Sequence, residues 1–170
     1  MKLKNLLLVL FCSICLAEGI SAQTIFTEAS ISFTFKSKDV SGTIGDFRSN
    51  SVIDLKQFEN STLEGSVGVT TLQTGNGLRD GHLMWKNYFH RKVHPRILFK
   101  STSIIKFGEN SYEITGNLTI KGITKSITFE GKLTASELEI SGELNSTDFD
   151  IRIEKKTEKN VVTLVMKFKL

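Results

Sequence analysis

From Tyr112 to Leu170 apolar and polar residues alternate with a period of two, the spacing at which successive side chains of a strand point to opposite faces. Tyr112, Ile114, Gly116, Leu118 and Ile120 fall on one face, and Glu113, Thr115, Asn117, Thr119 and Lys121 fall on the other. The pattern returns in Ile127, Phe129, Gly131 and Leu133, and again in Val162, Leu164, Met166, Phe168 and Leu170. It predicts antiparallel sheet with a single greasy face. Gly116, Gly131 and Gly142 share that face, where a closed barrel would otherwise carry large side chains. Their absence raises the question of what occupies the interior, and a chain-like apolar ligand is one answer.

The earlier part of the chain reads the same way. Ile31, Phe33 and Phe35 alternate with Ser32, Thr34 and Lys36, then Gly42, Gly45 and Asp46 punctuate before Phe47 and a second run around Val52 to Leu55, which reads as a hairpin. Leu63, Gly65, Val67 and Val69 continue the alternation, and a later run places Ile97, Phe99, Ile105 and Phe107 on one face with Ser101 and Ser103. Roughly eight runs of ordinary strand length predict one closed or nearly closed antiparallel barrel. Turns are expected at Gly108 to Asn110, at Lys121 and Gly122, and in the charged stretch Glu154 to Asn160.

One segment breaks the period. Between Thr74 and Pro95, Leu78, Trp85 and Phe89, with His82 among them, recur at spacings near three and four, and Thr74 or Asn76 is placed to cap a helix. Gly77 and Gly81 weaken helix formation, so a short helix plugging a barrel end and an irregular loop both satisfy the pattern.

Lys2 and Lys4 precede an apolar run from Leu6 to Leu16, and Ile20, Ser21 and Ala22 supply small residues for cleavage after Ala22. Residues 1–22 are read as a secretory signal peptide, leaving 23–170 as one domain in the periplasm or outside the cell. The run is short for a membrane span. Cys12 and Cys15 leave with the signal, so disulfide and thiol chemistry are excluded from the remainder. The 22 basic residues become 20 and the 18 acidic ones 17, which lowers the net charge from +4 to +3. Spread over polar strand faces, that charge gives no nucleic-acid footprint, though it is compatible with weak, transient attraction to an anionic membrane surface.

Catalytic motifs are scarce. No cysteine remains, no serine sits in a Gly-x-Ser-x-Gly elbow, and Gly75 and Gly77 begin a glycine pattern without completing a phosphate loop. A non-enzymatic binding protein is the expectation, with no cofactor. His90 and His94 stand four apart as a metal pair would, with His82 as a third donor, but no carboxylate lies at a matching spacing and Pro95 ends any helix. No metal site is assigned. The lining expected for an apolar tunnel is Phe33, Phe35, Val67, Leu78, Trp85, Phe89, Phe99, Ile114, Leu118, Phe129 and Phe168. The plain alternative is that these rings form a solid core. Arg79 and His82 are the candidates to meet a ligand's polar head group, against a solvated arginine and a satisfied core histidine.

Two blocks carry a family resemblance. The stretch from Thr74 to Leu83, with Tyr88, Phe89 and His94 to Thr102, and a second from Tyr112 to Lys125, resemble the signature regions of the YceI family. Val40, Ser41, Gly42 and Phe47, and Phe149 near Ile151, extend the likeness over nearly all of 23–170. The resemblance implies an extended eight-stranded lipocalin-like barrel with a short helical segment near one end. It also implies export and a polyisoprenoid lipid, such as a quinone tail, held in an internal tunnel. His90 and His94 stand where similar proteins carry an acidic residue and an aromatic one. Two other readings keep the barrel and change its use: a ligand-free stress or interaction protein, and an outer-membrane barrel with its greasy face outward. Trp85, Tyr88 and Tyr112 are too few for the aromatic girdles of the latter.

Overall fold

The computed structural model describes residues 26–170, so the expected signal peptide at 1–22 lies outside the described residues. The strands are β1 (Glu28–Phe35), β2 (Val40–Ile44), β3 (Arg48–Ser49), β4 (Glu64–Gly68), β5 (Arg96–Lys106), β6 (Ser111–Ile120), β7 (Ile123–Leu133), β8 (Glu137–Asn145) and β9 (Val161–Lys169). A single short helix, α1 (Gly77–Leu83), interrupts them. All nine join one antiparallel sheet in the order β2-β1-β9-β8-β7-β6-β5-β4-β3. Most match the expected runs, but β2 is a strand across Gly42, where a turn was expected, the expected run at Val52 to Leu55 reduces to an isolated bridge from Val52 to Thr62, and β3 has only two residues.

The sheet curls because its alternation gives it one face to bury. Inside lie Ile31, Phe35, Ile114, Leu118, Phe129, Ile140 and Phe168, all buried. Outside, cross-strand pairs are polar: Lys36 with Glu143 at 2.8 Å, Lys100 with Glu64 at 2.7 Å and Lys167 with Glu139 at 3.0 Å. Thr115 with Thr128 and Thr119 with Thr124 add hydroxyl pairs at 2.8 Å. A lipid-facing barrel needs the reverse arrangement, apolar out and polar in.

The free edges of the half-barrel are tied across without a continuous ladder. Thr43 and Gln73 exchange N–H···O bonds of 2.9 Å, and the Gly68 N–H donates to the Gly45 carbonyl. Arg96 clamps the join. Its Nε donates to Ser66 Oγ at 2.9 Å, Nη1 donates to the Asp46 carboxylate, and Nη2 donates to the Asp46 carbonyl. The hydrogen bonds from Arg96, aided by Arg48, hold the Asp46 carboxyl below the usual carboxylate range. A depressed folded pKa contributes stability above the unfolded value, about 3.9, and loses it as the pH falls through the folded one. The gap in thermal midpoint between the parent and Arg96→Leu is therefore expected to be constant above about pH 4 and to narrow below it. Thermal scans across that range check this, and a gap that widens in acid would contradict the clamp.

Two departures from ideal geometry shape the wall. In β5, Ser101 opposes Gly116 and Ser103 opposes Thr115, leaving Thr102 as the extra residue of a bulge. The bulge resets parity, so Ile104 is buried while Ile105 and Phe107 face outward. This corrects the expected single face running from Ile97 to Phe107. Further round, β7 and β8 pair only over Glu130–Leu133 with Leu138–Ser141. Among the described residues, 123–129 of β7 keep their ladder to β6 and have none to β8. A 3-10 turn at Ser146–Phe149 fills the parting, with Phe149 fully buried.

Candidate functional site

The inward-facing side chains do not meet in the middle. One packed cluster contains Ile31, Phe58, Ile114, Leu138 and Phe168, and a second contains Leu118, Ile120, Leu144, Phe149 and Ile151. Phe89, Ile97, Phe99, Ile127 and Leu164 touch both clusters yet stay only partly buried. Phe89, Ile97, Phe99 and Leu164 among them line a cavity of about 650 Å³. Its walls carry Phe33, Phe99, Leu164 and Met166, with Leu144, Phe149 and Ile151 from the second cluster. Polar side chains at its margins include Ser51, Thr74, Arg79 and Ser146.

The glycines of the greasy face make room for neighbouring side chains, not directly for a ligand. A Cβ on Gly116 would strike the Phe99 ring, one on Gly142 would come within 2.7 Å of Phe129, and one on Gly131 within 2.6 Å of Ile114. Gly42 receives Phe33 in the same way, as its direct cross-strand partner. Each ring lies flat against a bare stretch of backbone and so occupies the wall instead of the centre. The link between glycine and hollow predicted from sequence is thus indirect.

Of the residues expected to line a tunnel, Phe33, Phe35, Val67, Phe89, Phe99, Leu118, Phe129 and Phe168 do line the cavity, as does Arg79. Four do not. Ile114 is fully buried in packing against Phe129 and over Gly131, a core position with no lumenal surface. Leu78, Trp85 and His82 are exposed on α1 and its exit turn, with the His82 and Trp85 rings edge to face at 4.5 Å.

The rotation of α1 explains this correction. Asn76 caps the helix, its Oδ1 accepting from the Arg79 N–H at 3.1 Å. Asp80 Oδ1 accepts from both the Thr74 N–H at 3.0 Å and the Thr74 hydroxyl at 2.5 Å. Arg79 donates through Nε to Thr74 Oγ1 at 2.6 Å and through Nη2 to the Thr74 carbonyl at 2.8 Å. Four hydrogen bonds centred on Thr74 fix the 79/80 edge of a seven-residue helix against the chain. Set against that, the weak apolar spacing of Leu78, His82 and Trp85 loses. Leu83, one turn after Arg79, faces the cavity in place of Leu78.

Arg79 Nη1 has no hydrogen-bond partner among the described residues, so one donor of an anchored guanidinium remains at the cavity margin. The rings of His90 and His94 stand 5.8 Å apart and tilted, and no group of three metal-ligating side chains occurs among the described residues. His94 instead packs on the Cα of Gly122, whose φ of 77° excludes most other residues.

Sequence reasoning missed several lining residues. Val162, Leu164 and Met166 of β9 were placed on the greasy face but not assigned to the lumen, although they line it. Leu144 and Ile151 fall outside the alternating runs. The available signal for β9 was its lack of a large aromatic between Val162 and Met166, a gap opposite Phe33.

The comparisons agree with this architecture. A polyisoprenoid-binding domain from Saccharophagus degradans, implicated in plant cell wall breakdown, superposes with a TM-score of 0.56 at 11% identity, over 83% of this chain and 92% of that one. Burkholderia cenocepacia BcnA gives a TM-score of 0.70 at 19% identity, covering 83% and 94%. The Campylobacter jejuni YCEI protein gives 0.71 at 19%, covering 100% and 98%. At these identities the likeness concerns the fold. In sequence, the protein YceI of Escherichia coli O17:K52:H18 is 28% identical over 135 residues, 74% of this chain and 70% of that protein. A UPF0312 protein of Enterobacter sp. (strain 638) is 30% identical over the same length and shares. The YceI-like domain model matches residues 24–170, and the chain therefore belongs to the YceI-like family.

Proposed function

We propose that this protein is a non-enzymatic carrier or store for a polyisoprenoid lipid, such as the tail of an isoprenoid quinone, held within the half-barrel after export. The carrying observation is the apolar cavity of about 650 Å³ walled by half-buried rings and aliphatic chains. Each methylene or methyl moved from water into such a space contributes about 0.8 kcal/mol, so a branched tail binds with few polar contacts. The cavity volume lies within the ordinary range for small-molecule sites. Support for the lipid class comes from membership of the family and from the structural neighbour named for polyisoprenoid binding.

Arg79 is the group for the head end. Held by Thr74 at two points, its guanidinium keeps a free donor for a carbonyl or phosphate oxygen. His82 has no part in this reading, because it is exposed outside the cavity. Removal of residues 1–22 and delivery to the periplasm or beyond remain part of the proposal, resting on the apolar run and the small residues before Gln23.

Organic-solvent extraction of the purified protein followed by mass spectrometry is expected to release an isoprenoid in near-stoichiometric amount. A protein that yields none, and that ignores added long-chain quinones, would rule the reading out.

A further inference from the structure

The stripe that turns away from the cavity is itself an amphipathic surface. Leu78, His82 and Trp85 follow one another along α1 and its exit turn, with Leu78 82% exposed and Trp85 61% exposed. Val93 lies 59% exposed in the same capping segment. Lys86, Arg91 and Lys92 are exposed beside them and take part in no salt bridge among the described residues. No aspartate or glutamate occurs between Asp80 and Glu109. On the outer face of the sheet, by contrast, Lys36, Lys100, Lys167 and Lys169 each pair with a carboxylate.

We infer that this face docks on an anionic lipid bilayer. Leu78 on the short helix and Trp85 on its exit turn, beside the unpaired cations Lys86, Arg91 and Lys92 and with the one carboxylate of the helix, Asp80, turned to Thr74, match the interfacial zone of a membrane carrying negative head groups. A protein partner would have to match the same apolar tip with an acidic rim, whereas a bilayer with anionic head groups supplies both at once. The placement adds a reason. Arg79 and Leu83, on the other side of the same helix, line the cavity, so the docked face is directly backed by the lumen. The surface stands independently of which lipid the lumen holds.

Trp85 is the only tryptophan in the chain, so its emission reports this face and not the apolar run near the amino terminus. With mixed phosphatidylcholine and phosphatidylglycerol vesicles its emission is expected to move to shorter wavelength and to be quenched by brominated acyl chains, an effect reversed by high salt. Pure phosphatidylcholine vesicles should give little change. Neutralising the cations together, Lys86→Gln, Arg91→Gln and Lys92→Gln, is expected to weaken partitioning about a hundredfold. Leu78→Ser should weaken it through lost apolar contact. Both variants keep the probe and alter exposed side chains, and their thermal midpoints are expected to match the parent. Absence of a shift with anionic vesicles overturns the inference, as does a shift of equal size on neutral vesicles that survives the triple substitution. Solvent extraction separates this from the carrier reading: a loaded protein whose Trp85 ignores vesicles defeats the docking face alone, and an empty protein that docks defeats the cargo alone.

Discussion

Leu164→Trp is expected to empty the protein of extractable isoprenoid while leaving its thermal midpoint within a few degrees of the parent. Leu164 lines the cavity between the two packed clusters and is only partly buried, so an indole there enters vacant space instead of displacing packed atoms. The same residue placed at Ile114 has nowhere to go. Ile114 is fully buried, wedged between Phe129 and the bare backbone of Gly131. Overpacking such a site costs about 1 to 3 kcal/mol or more, several degrees of thermal midpoint for a domain of this size. Calorimetry with extraction of both variants makes the comparison. The lumen is refuted if the two substitutions destabilise equally, or if Leu164→Trp retains its lipid.

Asn160→Leu should produce the largest loss of stability of any single polar substitution. Asn160 is the only fully buried polar side chain among the described residues. Its Oδ1 accepts from the N–H groups of Ile153 and Glu154, both at 2.9 Å. Its Nδ2 donates to the carbonyls of Glu154 at 3.0 Å and Lys156 at 2.8 Å. One side chain thus organises the loop that joins the 3-10 turn at Ser146–Phe149 to β9. Leucine keeps the branched outline and heavy-atom count but orphans four backbone groups, at about 1 kcal/mol each when water reaches part of the opened loop. A fall of roughly 8 to 12 °C in thermal midpoint follows. A melting curve that moves by less than a couple of degrees would show that the loop contributes little to holding β9.

The strands were legible because burial on one side imposes a period of two that no local accident imitates over ten residues. β6 obeys it throughout, with Tyr112, Ile114, Leu118 and Ile120 buried and Glu113 and Asn117 exposed. The Asn76 cap was legible for the same kind of reason, since a short carbonyl side chain three residues before a free N–H satisfies local geometry alone. What escaped depended on non-local facts. The extra residue at Thr102 leaves no compositional trace, yet it exchanges Ile104 for Ile105 at the core. The rotation of α1 was decided by hydrogen bonds to Thr74, which outweigh a three-residue apolar stripe. The burial of Asn160 was hidden inside a stretch whose charges advertised only a turn.

For the candidate site, the aromatic positions were readable and the hollow was not. Alternation puts Phe33 and Phe99 inside but says nothing of whether they meet. That outcome rests on where each ring finds a glycine to lie against, across a strand pair in a register that sequence does not display.

The parting between β7 and β8 gives the half-barrel an unlaced seam. Between fully laddered strands, widening the girth must rupture rows of amide bonds together, whereas along 123–129 it disturbs side-chain packing around Phe129 and Phe149. Such a vessel is stiff around most of its circumference and compliant at this seam and at the join of its free edges, so it can yield to a thicker occupant without unravelling.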